Sequence, residues 1–381
     1  MEKQFIYADN AATTKMSDIA VQAMLPYLQE IYANASSVHL LGQRSAAALF
    51  GARQQVAQVL NCTPKEIFFT SGGSEADNQA LISAAALGKK QGKCHIVSTA
   101  MEHHAILHTL EALQAEGFTV TLLRPQADGI VTATQVAEAI TDTTCLVSVM
   151  YANNETGAIQ PIREIGALCR KRGVFFHTDA VQAAGHLAID VQRDNIDMLS
   201  LSAHKFHGPK GIGLLFANSN LQLTSLIRGG GQERGKRAGT ENLPGIIGLA
   251  AALKYAHEHM QKNTAYITDL RDALRNGLDK IDGAGFNGSR EHCLPGTVNY
   301  SFQGVNGEAL LSLLSNEGIC CSSGSACSAG SLEPSHVLLA LGLNHETAQS
   351  ALRFSLCEYN TMDEVQTIIT KVTEAVNRLR R

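Results

Sequence analysis

Three of the chain's nine cysteines fall in one short stretch, GICCSSGSACSAGSLEP, at residues 318–334. The last of them, Cys327, lies in a run of serine, glycine and alanine that offers little to hold a thiol in one position. A cysteine becomes a strong nucleophile as its thiolate. The remaining cysteines are scattered and form no CxxC pair, so we expect neither a disulfide framework nor a structural zinc site.

Two charged residues also have types and positions that suit chemistry. Asp179 follows the apolar run GVFFHT, and Lys205 follows the apolar run MLSLSA. A lysine amine is the usual covalent anchor of a pyridoxal cofactor. An aspartate is the expected partner of the pyridinium nitrogen, because it keeps that nitrogen protonated and the ring able to accept electrons. Singly, each charge is better explained as a solvated or salt-bridged side chain. Their order, one βαβ unit apart, favours pyridoxal chemistry.

Residues that follow other predicted strands could bind the phosphate and the ring of pyridoxal phosphate. SGGSEADNQA at 71–80 joins small residues to a helix start, whose backbone N–H groups can hold a phosphate. His103 could stack on an aromatic ring or transfer a proton, and Asn154 follows a further strand. Ser202 and His204 add donors that suit the phosphate. Each part of the cofactor therefore has a plausible partner.

Two other patterns compete as binding sites. The segment 229–237, GGGQERGKR, nearly matches a nucleotide-binding loop, but Arg237 stands where a Ser or Thr should bind magnesium. His104 and His108 have the spacing of a metal pair but lack the glutamate of an HExxH motif. We expect neither site. The following RAGTEN segment fits better as a second phosphate loop, with Thr240 available.

The elements that must position these residues alternate between short apolar runs and helical segments. EIFFT, CHIVST, FTVTLLR, TCLVSVMYA, GVFFHTDA and MLSLSA read as strands, and IREIGALCRKRG reads as a helix with a glycine cap. Such alternation predicts a mostly parallel sheet whose ligands bind at the carboxyl ends of the strands. A long helical stretch near residue 253 then leads to a smaller α/β lobe. We expect a large domain at 16–260, and a small domain formed by 1–15 and 261–381.

Composition excludes several classes of protein. The net charge of −4 and the lack of a basic run argue against nucleic acid or anionic membrane as the main partner. No apolar run approaches the roughly 18 residues of a membrane span, and the first residues lack a signal-peptide core. The sequence therefore predicts a cytoplasmic protein.

The chain resembles cysteine desulfurases of the NifS/IscS type. The resemblance covers nearly the whole chain, and its most specific blocks are SAHKFHGPKG at 202–211, SSGSACS at 322–328 and LEPSHV at 332–337. Less specific blocks are DNAAT at 9–13, TSGGSE at 70–75, EHHA at 102–105, NNETG at 153–157, HTDAVQ at 177–182, RAGTEN at 237–242 and RFSL at 353–356. It implies the fold of type I enzymes dependent on pyridoxal 5'-phosphate (PLP), an α/β class.

The resemblance also implies a role for each matching residue. Lys205 would hold PLP covalently, Asp179 would pair with its ring nitrogen, and His103 would stack on the ring and move protons. Arg353 would clamp the substrate carboxylate, a planar bidentate task, with Asn34 assisting. The remaining contacts to the cofactor would come from Gln182, Asn154, Gly73, Ser74, Ser202 and His204, and from Thr240 of the partner subunit of a homodimer.

The implied reaction takes sulfur from L-cysteine, leaving L-alanine and a persulfide on Cys327. A mobile loop would let that thiol collect sulfur at the cofactor and deliver it to an acceptor protein, such as an iron–sulfur scaffold or a tRNA-thiolation protein. Cys320 and Cys321 leave open whether Cys327 is the only thiol involved, although we expect a preceding strand to pack both inward. The alternatives are a selenocysteine lyase, an aminotransferase-like enzyme, or a non-catalytic carrier of sulfur or of an iron–sulfur cluster.

Overall fold

The predicted alternation of strands and helices is confirmed. The computed structural model describes residues 5–324 and 334–381. Its α-helices are α1 (Asp18–Gln29), α2 (Leu40–Leu60), α3 (Gly73–Lys90), α4 (His104–Ala115), α5 (Ala133–Ala139), α6 (Ile162–Arg172), α7 (Leu243–Leu278), α8 (Gly307–Asn316), α9 (His336–Ala340), α10 (His345–Gln349) and α11 (Met362–Leu379). Its strands are β1 (Ile6–Tyr7), β2 (Ile67–Thr70), β3 (His95–Thr99), β4 (Thr119–Leu123), β5 (Thr144–Ser148), β6 (Phe175–Asp179), β7 (Met198–Ser202), β8 (Gly213–Ala217), β9 (Ala284–Phe286), β10 (Thr297–Phe302), β11 (Ile319–Cys320) and β12 (Ala351–Ser355).

The principal sheet has seven strands in the order β2-β8-β7-β6-β5-β3-β4. The pairs from β7 through β6, β5 and β3 to β4 are parallel, and β8 is antiparallel to both β7 and β2. All residues of β3, β5 and β7 are buried, which explains their continuous apolar runs. The carboxyl ends of β2, β3, β5, β6 and β7 therefore meet at one edge, next to the predicted site residues.

Helices cover both faces of this sheet. On one face α3 and α4 pack on the sheet through a cluster that includes Leu81, Ile96 and Leu110. On the other face a larger cluster joins α2, α6 and the first half of α7 to the sheet. Across the described residues, every helix is too short or too polar to cross a membrane.

A second lobe is built on a three-stranded antiparallel sheet of order β12-β10-β9, with β1 and β11 paired in parallel beside it. Helix α7 bridges the two lobes, because Leu253 belongs to the large core whereas Ile267 belongs to the core of the second lobe. Strand β1 brings the N-terminal residues to this second lobe. The division that we propose at residue 260 falls inside α7, between those two residues.

Local structure also bears on the cysteine-bearing segment and on the competing nucleotide-binding pattern. After the cysteine-bearing segment, α9 begins at His336, where the Ser335 hydroxyl accepts the first free backbone N–H groups. The segment 229–237 contains only a short 3₁₀ turn, without the strand and helix that a nucleotide loop requires. Its Glu233 instead forms a buried ion pair with Arg53 at 2.6 Å. Cys320 and Cys321 are only half-buried.

Candidate active site

A cavity of about 180 Å³ lies at the carboxyl edge of the large sheet, where the second lobe meets it. Most of the sequence-predicted site residues line it: Gly73, Ser74, His103, Asn154, Asp179, Gln182, Ser202, His204, Lys205 and Arg353. The rest of the lining consists of Ala11, Ala12, Asp77, Met150, Ala152 and Val181. The strands thus bring residues spread over most of the chain into one small space.

One end of the cavity is shaped to receive an anion. Helix α3 begins after Gly72, which has no side chain to cap the first turn, so backbone N–H groups of Gly73 and Ser74 remain available. A Cβ at Gly73 would come within 2.7 Å of a methyl carbon of Val181 and 3.6 Å of the Ser202 Cβ. Only glycine leaves this approach open, and the helix dipole adds positive potential.

Lys205 and Asp179 form the charged centre of the cavity. The Lys205 ammonium donates to the carbonyl oxygens of Ala11 at 2.6 Å and Ala12 at 2.8 Å, which hold the side chain in the cavity. Burial raises the pKa of Asp179 to about 6, although the Val181 N–H and the Lys205 charge lower it. The Lys205 charge favours the ionised form, in which Asp179 offers a carboxylate to the cavity.

Two histidines flank this centre as neutral imidazoles. His103 caps α4, and its Nδ1 accepts the Ala105 N–H at 3.1 Å, so the proton resides on Nε2. Burial, assisted by the Lys205 charge, lowers the pKa of His103 to about 4. Nε2 is therefore the nitrogen through which His103 can exchange a proton. Burial and the Lys205 charge also lower the pKa of His204 to about 4, and its Nδ1 lies 3.1 Å from the Thr13 hydroxyl.

Arg353 is held rigidly at the border between the lobes. It is only 1% exposed, and its Nη2 donates to Asp9 while its Nη1 donates to the Asn154 carbonyl, both at 2.8 Å. Its Nε is buried without a hydrogen-bond partner among the described residues. A buried donor left unpaired is costly, so this nitrogen indicates a place for an acceptor such as a substrate carboxylate.

The cysteine-bearing segment starts and ends beside this cavity. Ser322 pairs with the backbone of Arg353 through bonds of 2.7 and 3.1 Å. On the far side, the Ser335 hydroxyl donates to Glu155 at 2.5 Å, and the same carboxylate lies next to Gly324. Glu155 therefore binds one end of the intervening segment and lies close to the other. Cys327 itself lies outside the described residues.

Two predicted site residues lie away from the cavity. Thr240 is exposed on the loop before α7, and Asn34 is exposed with its side-chain oxygen accepting the Ser36 N–H at 2.8 Å. Gln182 reaches the cavity and donates to the Ala11 carbonyl at 2.9 Å. The roles of Thr240 and Asn34 stay predictions.

Sequence reasoning missed two buried carboxyl groups beneath the cavity. Asp77 on α3 lines it, and burial followed by repulsion from Asp179 raises the Asp77 pKa well above its usual range. A neutral Asp77 lets Asp179 keep its charge. Glu102 is fully buried, accepts from the Thr99 hydroxyl at 2.7 Å and the Met150 N–H at 2.9 Å, and has a pKa raised to about 8 by burial. The sequence gives no signal for Asp77, because it stands among the other polar residues that begin α3.

The raised pKa of Glu102 predicts a loss of stability at high pH. Between the pKa of an unfolded glutamate, about 4.3, and about 8, the folded protein holds a proton that the unfolded chain has lost. Stability from this group therefore falls as pH rises through that window. Glu102→Gln keeps the accepting oxygen and removes the charge, so its unfolding temperature should fall less than that of the unmodified protein between pH 5 and 8. Glu116→Gln, at an exposed position, should behave as the unmodified protein, and equal pH slopes for all three would contradict the prediction.

Comparisons with known proteins agree with this geometry. Residues 6–368 match the class-V aminotransferase family. The chain is 47% identical over 383 residues to the "Cysteine desulfurase IscS" of Clostridium botulinum strain Hall, covering 100% of this chain and 96% of that protein. It is 45% identical over 379 residues to the protein of the same name from Methanosarcina thermophila, covering 100% and 94%.

Solved structures extend the similarity to the fold. A structure titled "NifS-like protein" superposes with a TM-score of 0.93 at 37% identity and covers 98% of this chain and 100% of that one. A structure titled "SspA in complex with cysteine" matches with a TM-score of 0.82 at 38% identity, covering 93% and 99%. The fold is therefore shared along nearly the whole chain.

Proposed function

Because the chain belongs to the IscS/NifS-type cysteine desulfurases of the class-V aminotransferase family, we propose that it removes sulfur from L-cysteine and holds it as a persulfide on Cys327. The other product is L-alanine. The observation that carries the proposal is the placement of Lys205, Asp179, His103 and Arg353 in one cavity, beside both ends of the segment that bears Cys327.

Members of this family depend on PLP, and the residues of the cavity fit that group. The open approach at Gly73 and the uncapped start of α3 suit a phosphate, with Ser74, Ser202 and His204 as further donors. The Asp179 carboxylate suits a protonated ring nitrogen, and the Lys205 amine suits covalent attachment. Gln182 and Asn154 would add contacts around the ring. When bound, PLP supplies an electron sink that stabilises negative charge at the substrate Cα.

The protein's own groups handle the protons. The Lys205 amine, once it is deprotonated, can accept the proton from the substrate Cα, because it lies inside the cavity and an amine is a stronger base than the neighbouring imidazoles. His103 can pass a proton through Nε2, since its Nδ1 is occupied by the Ala105 N–H. Asp179 stays ionised beneath them. The lining methyl and thioether groups of Ala11, Ala12, Ala152 and Met150 limit the water in the cavity.

Sulfur transfer requires Cys327 to approach the substrate. Cys327 comes three positions after Gly324 in the chain, and an extended chain spans at most about 3.6 Å per residue, so its Cα lies within about 11 Å of the Gly324 Cα. Its thiolate attacks the substrate sulfur, a new S–S bond forms and the substrate C–S bond breaks. The substrate Cβ, which has lost the sulfur, gains a proton. One cysteine and one enzyme thiol therefore give one alanine and one enzyme persulfide.

Substrate binding depends on Arg353, which we expect to hold the cysteine carboxylate through donors not engaged by Asp9 and Asn154. Arg353→Lys replaces a planar fork by a point charge and should raise KM for L-cysteine about 10- to 100-fold, with a smaller change in kcat. Steady-state kinetics of alanine formation measure both. Arg290→Lys, in an exposed ion pair with Asp279, should leave KM unchanged. An unchanged KM in Arg353→Lys would rule out the carboxylate clamp.

We propose further that the enzyme is a homodimer. Large apolar side chains are exposed on and around α1 and α2: Ile19, Leu25, Leu28, Tyr32, Val38, Leu40 and Phe50. Several of these lie close together in the chain and favour a covered surface. A partner bound there is also the expected source of a second Thr240, which in each subunit is exposed and lies outside the lining of its own cavity.

Two charges on α1 should therefore separate the subunits. The double change Leu25→Asp and Leu28→Asp places carboxylates on a surface that we expect to be buried, and should convert the dimer to a monomer. Light scattering after size-exclusion chromatography measures the mass. Leu122→Asp, at an exposed position on β4, should remain dimeric. A monomeric unmodified protein would contradict the proposal.

The persulfide must pass its sulfur onward, and we propose a cytoplasmic acceptor protein such as an iron–sulfur scaffold or a tRNA-thiolation protein. Ser323 is exposed where the cysteine-bearing segment begins, so this segment starts at the protein surface.

Product analysis tests the activity. The PLP-loaded protein is incubated with L-cysteine and dithiothreitol, which releases the persulfide sulfur as sulfide. Equal amounts of L-alanine and sulfide are expected. Pyruvate and ammonia in place of alanine would mean that the enzyme eliminates hydrogen sulfide instead of transferring sulfur to a thiol.

A further inference from the structure

A side-chain cluster outside the active-site cavity brings together His207, Cys357 and Glu358. One ligand atom from each lies within 4.8 Å of the others, although about 150 positions of sequence separate the histidine from the other two. His207 belongs to the loop after Lys205, whereas Cys357 and Glu358 come after β12 of the second lobe. None of the three lines the active-site cavity.

His207 directs its Nε2 toward this cluster. Its Nδ1 lies 2.9 Å from the Lys15 carbonyl oxygen, which can only accept, so Nδ1 carries a proton and donates it. Its Nε2 is buried and has no hydrogen-bond partner among the described residues, and the side chain is only 9% exposed. In metal-binding histidines, the same outer hydrogen bond fixes the ring and leaves Nε2 to the metal.

The spacing of the nearest two atoms matches a metal site better than an ion pair. The Glu358 Oε2 lies 3.4 Å from the His207 Nε2. A charge-assisted N–H···O bond is shorter, at about 2.7–2.9 Å. Two ligands at about 2.0–2.1 Å from a tetrahedral zinc ion lie about 3.4 Å from each other. The other oxygen of Glu358 accepts from the Asn263 amide at 3.3 Å, which orients the carboxylate.

The donor set also selects the ion. Thiolate, imidazole and carboxylate together suit Zn²⁺, whereas Ca²⁺ and Mg²⁺ prefer oxygen ligands only. The two negative charges of Cys357 and Glu358 balance a divalent cation, so the occupied cluster would be neutral. A neighbouring cavity of about 540 Å³, lined in part by His207 and Cys357, gives an ion access and leaves space for a water ligand.

We propose that His207, Cys357 and Glu358 bind one Zn²⁺, with water as the fourth ligand. Binding displaces the thiol proton of Cys357, and a proton on His207 Nε2 where one is present, to solvent. No electron is transferred. The ion joins the loop that carries Lys205 to the end of β12, and so ties the second lobe to the large domain. This site is independent of sulfur transfer, and its ligands are too distant in sequence for a motif to reveal them.

Zinc content and X-ray absorption of the PLP-loaded full chain test the proposal. Cys327→Ala serves as the background, so that its thiol cannot bind the metal. After dialysis against micromolar zinc, elemental analysis should give one zinc per chain. The absorption fine structure should show one sulfur at about 2.3 Å and nitrogen or oxygen ligands at about 2.0–2.1 Å.

Variants locate the ion. Cys357→Ser and His207→Gln, made in the same background, should each lose most of the zinc, and Cys357→Ser should lose the sulfur scatterer. Cys145→Ser, which changes a buried thiol in the large core, should retain one zinc. Zinc well below one per chain in the background protein overturns the proposal whether or not the variants fold. So does a zinc shell that contains no sulfur.

Discussion

Replacement of Lys205 by alanine is expected to abolish alanine formation from L-cysteine, lowering kcat/KM by at least about 10³-fold. The amine serves both as the covalent anchor of PLP and as the base at the substrate Cα. Among the described residues, no other lysine lines the cavity to compensate for its loss. The absorption band of the bound cofactor should shift as well, because the covalent link is gone.

Lys210→Ala is the matched control for this variant. Lys210 lies on the same loop, but its side chain is exposed and its Nζ lies 3.5 Å from the Thr14 carbonyl, outside the cavity. Its turnover and absorption band should match those of the unmodified protein. Turnover of Lys205→Ala within tenfold of the unmodified protein would remove Lys205 from the reaction.

Replacement of Cys327 by alanine should have an effect of similar size by a different route. The cofactor band should remain, because nothing that we expect to hold PLP has changed, while alanine formation should fall by at least about 10³-fold for want of a nucleophile. Absorption spectroscopy and alanine assays separate these two readouts. Full turnover in Cys327→Ala would reject the persulfide route.

Cys320→Ala and Cys321→Ala are the controls, and they address the thiols whose part in the reaction the sequence leaves open. Burial, followed by the Asp9 charge, raises the thiol pKa of both residues. Both thiols are therefore protonated at neutral pH and react poorly. Each variant should keep full turnover, and a large loss in either would assign it a part in sulfur transfer.

The sequence predicts the large sheet and much of the cavity because both arise from local patterns. The apolar runs form strands that are mostly buried, except for β4 at the edge of the sheet, and parallel strands bring the residues at their carboxyl ends together. Asp179 and Lys205 reach one cavity for this reason, and Gly73 opens α3 as its small-residue context indicates.

Contacts between distant parts of the chain could not be predicted in this way. Arg353 bonds to Asp9, which lies 344 positions away in the chain, and its backbone pairs with Ser322 at the start of the cysteine-bearing segment. Asp77 appears in sequence as one more polar residue of a helix, and only the packing of α3 on the sheet shows that it is buried beside Asp179. Thr240 and Asn34 lie outside the cavity of their own chain, so their roles stay predictions.

The most direct test of sulfur transfer is mass spectrometry of the protein after brief exposure to L-cysteine, without reductant and with free thiols then blocked. The mass of one additional sulfur atom is expected on the peptide that contains Cys327, and it should be absent from the Lys205→Ala protein. An unmodified Cys327 peptide from protein that has formed alanine, or the added sulfur on Cys320 or Cys321 instead, would contradict the mechanism.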